Sequence, residues 1–411
     1  MLNRKAFLKS MGVSLYSIAT SGIPLFLNRT AMAANRDRPP KTLVVIFQRG
    51  AMDGLMAVSP FRDKHLPKAR PSLIMSVGKT RGSLINLDET FGLHPAFSSL
   101  YPLFQQGKLA IVHGTGLPYS TRSHFEAQNY MESGTPGLKS TNSGWLNRVA
   151  SLLDQEKSSP LQGVSITKSQ PFSMRGQQPT LVIPDLRRFA LPTDQPLIKP
   201  IYQALYAQTK LEQLREAGDK SISATKMISS IQKTSYRPRK GITYPKSKLG
   251  QNLSQIAQLI KANVGLEIAF TEVGGWDTHR RQGTMEGPFA RQAKVLSDAI
   301  ATLWDDLADH HQNVVIMTMT EFGRTVHENG SGGTDHGRGS CLFVLGSRVD
   351  GGKVHGSVPE LSVDMLEDQR DVPVSTDFRS VFSEVAGQHL SVTDNEILFP
   401  GWGGQPLPLF T

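Results

Sequence analysis

The sequence predicts an α/β protein with a largely parallel central sheet flanked by helices on both faces. Apolar runs of strand length, such as residues 314–320, are rich in β-branched side chains and lack polar alternation. One run of helical periodicity is especially clear, because its apolar residues are spaced 4, 3, 4, 3 and 4 positions apart. Strands that alternate with such helices are typical of a parallel sheet with two covered faces. The helical run comprises Phe289, Ala293, Leu296, Ile300, Leu303 and Leu307.

Polar loops follow the predicted strands. The strand at residues 41–48 leads into RGAMDGL, the strand at 109–113 into GTGLPYSTRSHFE, and the strand at 266–270 into GGWDTH. The strand at 314–320 leads into EFGRT, and a further strand is predicted at 341–345. Because the carboxyl ends of parallel strands lie along one edge of a sheet, we expect these loops to be neighbours.

The N-terminal residues predict export. Basic residues precede an uncharged stretch, and Ala31-Met32-Ala33 offers small side chains where a signal peptidase reads them. We therefore expect a signal peptide at residues 1–33 and a mature chain that begins at Ala34, without a membrane span, in the periplasm or outside the cell. An uncleaved anchor is the alternative. Residues 34–411 are predicted to form a single domain, with an insertion or cap at about 160–250.

The formal net charge is +10 over 411 residues. The basic residues form no run interleaved with aromatic side chains, so we expect no nucleic-acid partner. Cys341 is the single cysteine, which excludes an intramolecular disulfide. It lies within the apolar run CLFVLG, which indicates a buried thiol.

Carboxylates and histidines follow several of the predicted strands. Individually they are weak signals, and a turn aspartate is the alternative for Asp53. Together at strand ends they predict a metal site. Carboxylates and neutral imidazoles suit Zn²⁺ or Mn²⁺, as one or two ions. The candidate ligands are Asp53, Asp277, His279, Glu321, Asp335 and His336.

Ser123 admits two interpretations. With Glu126 it forms the pattern S-x-x-E, a capping box that opens a helix. The same helix N-terminus offers free backbone N–H groups and positive potential, which would suit a serine nucleophile and an anionic substrate. Arg122 and His124, on either side of it, would help to hold an oxyanion.

The motifs RGAMDGL, TRSHFEAQ, GGWDTH, EFGRT, NGSGGTDHG and STDFRSV resemble the bacterial domain-of-unknown-function family 1501. That family comprises exported proteins assigned to the alkaline phosphatase/sulfatase-like superfamily. The resemblance extends from Lys41 to Gly401 and implies an alkaline-phosphatase-like fold. The family has no settled activity, so the resemblance implies fold more firmly than function.

The superfamily also implies roles for individual residues. Ser123 takes the place of its nucleophile at a helix N-terminus. Glu321 lies where the superfamily has an Asp–His pair, and Phe322 follows it in place of the histidine. This departure leaves a single metal, or a degenerate site, as an alternative to two metals. The other implied metal ligands are Asp53, Asp277, His279, Asp335 and His336.

Two functions are compatible with these features. The first is an exported metal-dependent hydrolase of phosphate or sulfate esters, acting on a small molecule or a polymer. In it Ser123 attacks in line, while Arg122 or Arg324 holds the anionic oxygens. The second is a non-catalytic exported protein on the same fold that acts in surface assembly or polymer handling.

Overall fold

A nine-stranded sheet forms the centre of the chain in a computed structural model, which describes residues 40–80, 82–153, 159–189, 212–234 and 236–411. A hairpin and a small three-stranded sheet accompany it. The strands are β1 (Thr42–Gln48), β2 (Val58–Ser59), β3 (Ile85–Asn86), β4 (Gly92–Leu93), β5 (Leu109–Gly116), β6 (Gly163–Ser165), β7 (Leu181–Val182), β8 (Ile268–Val273), β9 (Val314–Met319), β10 (Arg324–Glu328), β11 (Thr334–His336), β12 (Ser340–Gly346), β13 (Val354–Gly356) and β14 (Thr376–Asp377).

The central sheet is largely parallel, as predicted. Its strand order is β13-β5-β12-β9-β1-β8-β6-β7, and β14 pairs with β5. Only β12 runs against its neighbours β5 and β9 among the described pairings. Because β12 opposes both, β5 and β9 point the same way, and their carboxyl ends lie at the same edge as those of β1 and β8.

Helices cover both faces of the sheet, which confirms the predicted fold class. Alternate side chains of β1 enter different cores: Val44 and Ile46 pack on one face, and Leu43, Val45 and Phe47 on the other. The helices are α1 (Gly54–Ala57), α2 (Leu66–Ala69), α3 (Tyr101–Gln105), α4 (His124–Ser133), α5 (Trp145–Leu152), α6 (Glu212–Lys233), α7 (Lys248–Lys261), α8 (Pro288–Asp306), α9 (Phe378–Leu390) and α10 (Asn395–Leu398). Helices α7 and α8 contribute to the first core, and α4, α5 and α9 to the second.

Helix α8 shows how the periodic sequence is used. It starts at Pro288, whose fixed φ and missing N–H suit a first helical position. The predicted apolar stripe, from Phe289 to Leu303, is buried against the sheet and α7. Full burial of each large side chain in such a stripe contributes roughly 1.5–3 kcal/mol, so the stripe rather than helix propensity keeps α8 in place.

The region at about 160–250 takes part in the central sheet as well. Strands β6 and β7 extend it beyond β8. The insertion or cap proposed there stays a prediction, because residues 190–211 lie outside the described residues. The predicted signal peptide, residues 1–33, lies outside them too. Within the described part of the chain, none of the helices combines the length and apolarity that crossing a bilayer requires.

Candidate metal centre

The candidate site lies at the carboxyl edge of the central sheet. Three strands of like direction, β5, β8 and β9, deliver side chains to it through the loops that follow them. The chain after β5 leads into α4, the loop after β8 carries GGWDTH, and the chain after β9 leads into the β10–β11 hairpin. The side chains brought together are His124, Asp277, His279, Glu321, Asp335 and His336.

Three imidazole Nε2 atoms and one carboxylate oxygen converge. His336 Nε2 lies 2.9 Å from His124 Nε2 and 2.8 Å from His279 Nε2. Asp277 Oδ1 lies 3.1 Å from His279 Nε2 and 3.5 Å from the other two Nε2 atoms. Ligands of a tetrahedral zinc ion with bonds of 2.0–2.1 Å are separated by roughly 3.3–3.4 Å. The donor spacing is therefore close to that of one such ion.

The other ring nitrogen of each histidine is already committed. His124 Nδ1 donates to Glu321 Oε1 at 2.8 Å, and His279 Nδ1 donates to Asp335 Oδ1 at 2.9 Å. His336 Nδ1 donates to the carbonyl oxygen of Arg122 at 2.8 Å. Because carbonyl and carboxylate oxygens only accept here, each neutral ring carries its proton on Nδ1.

Three Nε2 lone pairs consequently point at one another. Such an arrangement is repulsive unless a cation lies among them. A hydrogen bond from Nδ1 to a carboxylate or a carbonyl is also the usual support of a metal-bound histidine. Of the described residues, His124, Asp277 and His336 have ligand atoms that all lie within 4.8 Å of one another. The donor chemistry fits a divalent metal.

Glu321 sets the direction of His124. Its side chain is fully buried, and Oε1 also accepts from Gly50 N and Gln128 Nε2, both at 2.8 Å. Burial alone would raise the pKa of Glu321, but the hydrogen bonds from His124 and Gln128 outweigh it and hold that pKa below its usual value. The carboxylate thus stays charged and supports the ring from behind.

Arg324 is not free to hold a substrate anion, in contrast to the prediction. It is 1% exposed and donates to the carbonyl oxygens of Gly50, Ala51 and Thr334 at 2.9–3.1 Å. It also donates to Asp277 Oδ1. Burial would raise the pKa of Asp277, and Arg324 lowers it. Arg324 therefore anchors a candidate ligand and the loop after β1.

Arg122 is committed as well. Its guanidinium donates to Asp371 and, at 2.7 Å, to Asp368, which leaves the predicted role as an anion holder without support. Another cation stands at the site: Arg370 donates to the carbonyl oxygen of His336 at 2.9 Å, and its side chain is 42% exposed. The sequence analysis missed Arg370, which lies on an irregular segment far along the chain.

Ser123 occupies the N-cap position of α4, but the predicted capping box does not form. The Ser123 side chain makes no capping hydrogen bond, and the residue is exposed. Glu126 instead accepts from Thr121 Oγ1 at 2.7 Å and pairs with Lys139 at 3.0 Å. The earlier threonine thus takes the partner that the S-x-x-E pattern assigns to the serine.

Asp53 has other partners than the imidazoles. It caps α1 through Met56 N, and its Oδ2 accepts from Arg70 at 2.8 Å and from Gln282 at 2.7 Å. Both Asp53 and Arg70 are almost completely buried. The carboxylate is therefore neutralised by an arginine, which supports the turn-aspartate alternative over its predicted role as a metal ligand.

A family model described as "Protein of unknown function (DUF1501)" matches residues 64–398. Solved structures that align with the chain include the C-terminal periplasmic domain of EcEptC from Escherichia coli in complex with Zn, at 11% identity and a TM-score of 0.37, covering 90% of this chain and 88% of that one. The lipoteichoic acid synthase LtaP from Listeria monocytogenes aligns at 10% identity and a TM-score of 0.35, over 91% and 81% of the two chains.

An alkaline phosphatase from the Antarctic bacterium TAB5 aligns at 12% identity and a TM-score of 0.32, over 75% of this chain and 91% of that one. No curated protein sequence matches the chain.

Proposed function

The chain belongs to the DUF1501 family of proteins of unknown function, and we propose that it is a metal-dependent hydrolase of phosphate or sulfate esters. The observation that carries the proposal is the convergence of three Nε2 lone pairs whose rings are each oriented through Nδ1. We further propose that the protein is exported through residues 1–33 and meets its ester substrate, a small molecule or a polymer, outside the cytoplasm.

His124, Asp277, His279 and His336 would hold one divalent ion, zinc or manganese. Such an ion would act as a Lewis acid toward an oxygen of the ester and stabilise the charge that builds up there. The side chains of the three histidines are 21–38% exposed, so the cluster is open to solvent on one side. A ligand can therefore approach without a change in the fold.

The chain's own residues would do the rest. Ser123 lies directly before His124, with an exposed hydroxyl at the N-terminus of α4. In the first step its oxygen bonds to phosphorus or sulfur as the bond to the alcohol oxygen breaks. The serine proton passes to solvent, and the leaving alcohol takes a proton from solvent. Water then cleaves the serine ester and restores the hydroxyl, while Arg370 attracts the anionic substrate.

The test is metal content followed by a panel of phosphate and sulfate esters. We expect the purified protein to hold about one zinc or manganese per chain, and the His124→Ala variant to lose both the metal and the hydrolysis. Elemental analysis and initial rates measure the two effects. His327→Ala is the matched control, because His327 is exposed on β10. Wild-type protein that neither binds these metals nor cleaves any ester would exclude the proposal.

A specific observation also favours a non-catalytic protein that uses the metal for stability. Four protein donors complete a tetrahedral set, as in structural zinc sites, whereas catalytic sites keep a position for water. On this alternative the metal would bind and raise the melting temperature, yet no ester would be cleaved at any metal concentration. The same ester panel separates the two functions.

A further inference from the structure

We infer that Gln282 is the positioning residue that holds the two ligand-bearing loops of the metal centre in register. The inference rests on the proposed metal centre and extends it to a side chain that touches none of the converging ligand atoms. Gln282 is fully buried. Its side chain amide makes three hydrogen bonds, to three separate segments of the chain.

The amide oxygen joins the two ligand loops. Gln282 Oε1 accepts from Thr278 Oγ1 at 2.7 Å and from Thr334 Oγ1 at 2.8 Å. Thr278 stands between Asp277 and His279, and Thr334 directly precedes Asp335-His336. One oxygen atom therefore ties the GGWDTH loop to β11, and three of the four candidate ligands lie within two residues of its hydrogen-bond donors.

The amide nitrogen anchors this junction to a buried ion pair. Gln282 Nε2 donates to Asp53 Oδ2 at 2.7 Å, and Arg70 donates to the same oxygen at 2.8 Å. Arg70 also donates to the carbonyl oxygens of Thr325 and Val326 on β10, at 2.7 and 2.8 Å. The anchor thus reaches the strand that pairs with β11.

The orientation of the amide is unambiguous. Asp53 Oδ2 can only accept, so the NH₂ group must face it, and both threonine hydroxyls then donate to the oxygen. An apolar side chain of equal length would leave two buried hydroxyls without an acceptor. Backbone bonds reinforce the same junction: Gln282 N donates to Gly332 O at 2.8 Å, and Thr334 N donates to Thr278 O at 3.2 Å. The position therefore requires an amide.

The test compares Gln282→Met with Gln282→Glu. Methionine preserves the volume and removes all three hydrogen bonds, and we expect Zn²⁺ and Mn²⁺ to bind roughly 10–100-fold more weakly, as for other outer-shell partners of metal ligands. Glutamate can still accept from both threonines, so its loss should be smaller. Competition with a chromophoric chelator measures the affinity, and thermal unfolding of the metal-free protein measures stability separately.

Gln255→Met is the matched control, because Gln255 is a buried glutamine of α7 that bonds Leu186 N and Gln251 O. It should lower stability and leave metal affinity unchanged. A Thr278→Ser variant should bind metal as the wild type does, and Thr278→Val more weakly. If Gln282→Met is destabilised but binds metal as tightly as the wild type, the positioning role is excluded. A wild type that binds no metal would instead refute the proposed function.

Discussion

Single residues in this protein take their roles from partners that lie far away in sequence. Glu321, Asp335 and the carbonyl group of Arg122 each hold one imidazole through Nδ1. A ring oriented in this way loses little freedom when it binds a metal, because the hydrogen bond has already selected its rotamer and tautomer. The acids at strand ends thus act behind the histidines, and only Asp277 takes part directly.

Ser123 separates the hydrolytic from the non-catalytic interpretation. Replacement of a capping serine by alanine usually costs about 0.5–2 kcal/mol. Here the side chain makes no capping bond, so Ser123→Ala should cost less than about 0.5 kcal/mol. If the hydroxyl is the nucleophile, the same change should abolish ester hydrolysis. Thermal unfolding and initial rates on one preparation measure both effects.

Ser123→Asp provides the control for that experiment. Aspartate is a good N-cap residue, so the variant should be at least as stable as Ser123→Ala. Its carboxylate would also bring negative charge next to the anionic substrate and should leave the protein inactive. Undiminished hydrolysis in Ser123→Ala would exclude the nucleophilic role.

The sequence allowed part of this site to be predicted. Asp277, His279 and His336 follow apolar strands, and strand ends of like direction meet at one edge. Arg324 could not be assigned, because an arginine after a strand reads the same whether it is exposed or surrounded by carbonyl groups. His124 was assigned only to an oxyanion, because the orientation of its helix decides which of two neighbouring side chains faces the site.

At the scale of elements, the β10–β11 hairpin depends on the absence of a side chain at Gly333. A Cβ atom there would lie 2.4 Å from the carbonyl oxygen of Thr278 and from the carbonyl carbon of His279. We expect Gly333→Ala to push the hairpin away from the GGWDTH loop. It should destabilise the protein by about 1–3 kcal/mol, as overpacking does, and weaken metal binding. Urea unfolding and chelator competition measure the two effects.

Gly330 provides a matched control in the same hairpin. A Cβ atom at Gly330 would meet nothing within 4 Å, and its φ is not in the left-handed region. Gly330→Ala should therefore change stability by less than about 0.5 kcal/mol. Equal effects of the two substitutions would show that the close approach at Gly333 has no energetic importance.

Long periodic elements were the ones that the sequence predicted best. Helix α8 forms over the predicted stripe because its apolar face is continuous. The antiparallel direction of β12 was not predicted, since an apolar strand buried on both faces reads the same in either direction. The short strands β6 and β7 were equally hidden, because two or three residues carry no usable period.

At the scale of the whole molecule, buried histidines should make stability fall in acid. Burial lowers the pKa of His94, His113 and His389 from 6.5 to about 4. Between these values the unfolded chain binds more protons, so stability is lost as pH falls from 6.5 toward 4. His389→Gln keeps a donor for Thr42 O but does not titrate, so the loss from pH 7 to 5 should shrink by roughly 2 kcal/mol. Urea unfolding with a chelator present measures this difference without metal release. The exposed His327→Gln variant should match the wild type, and an unchanged pH dependence in His389→Gln would contradict the assignment.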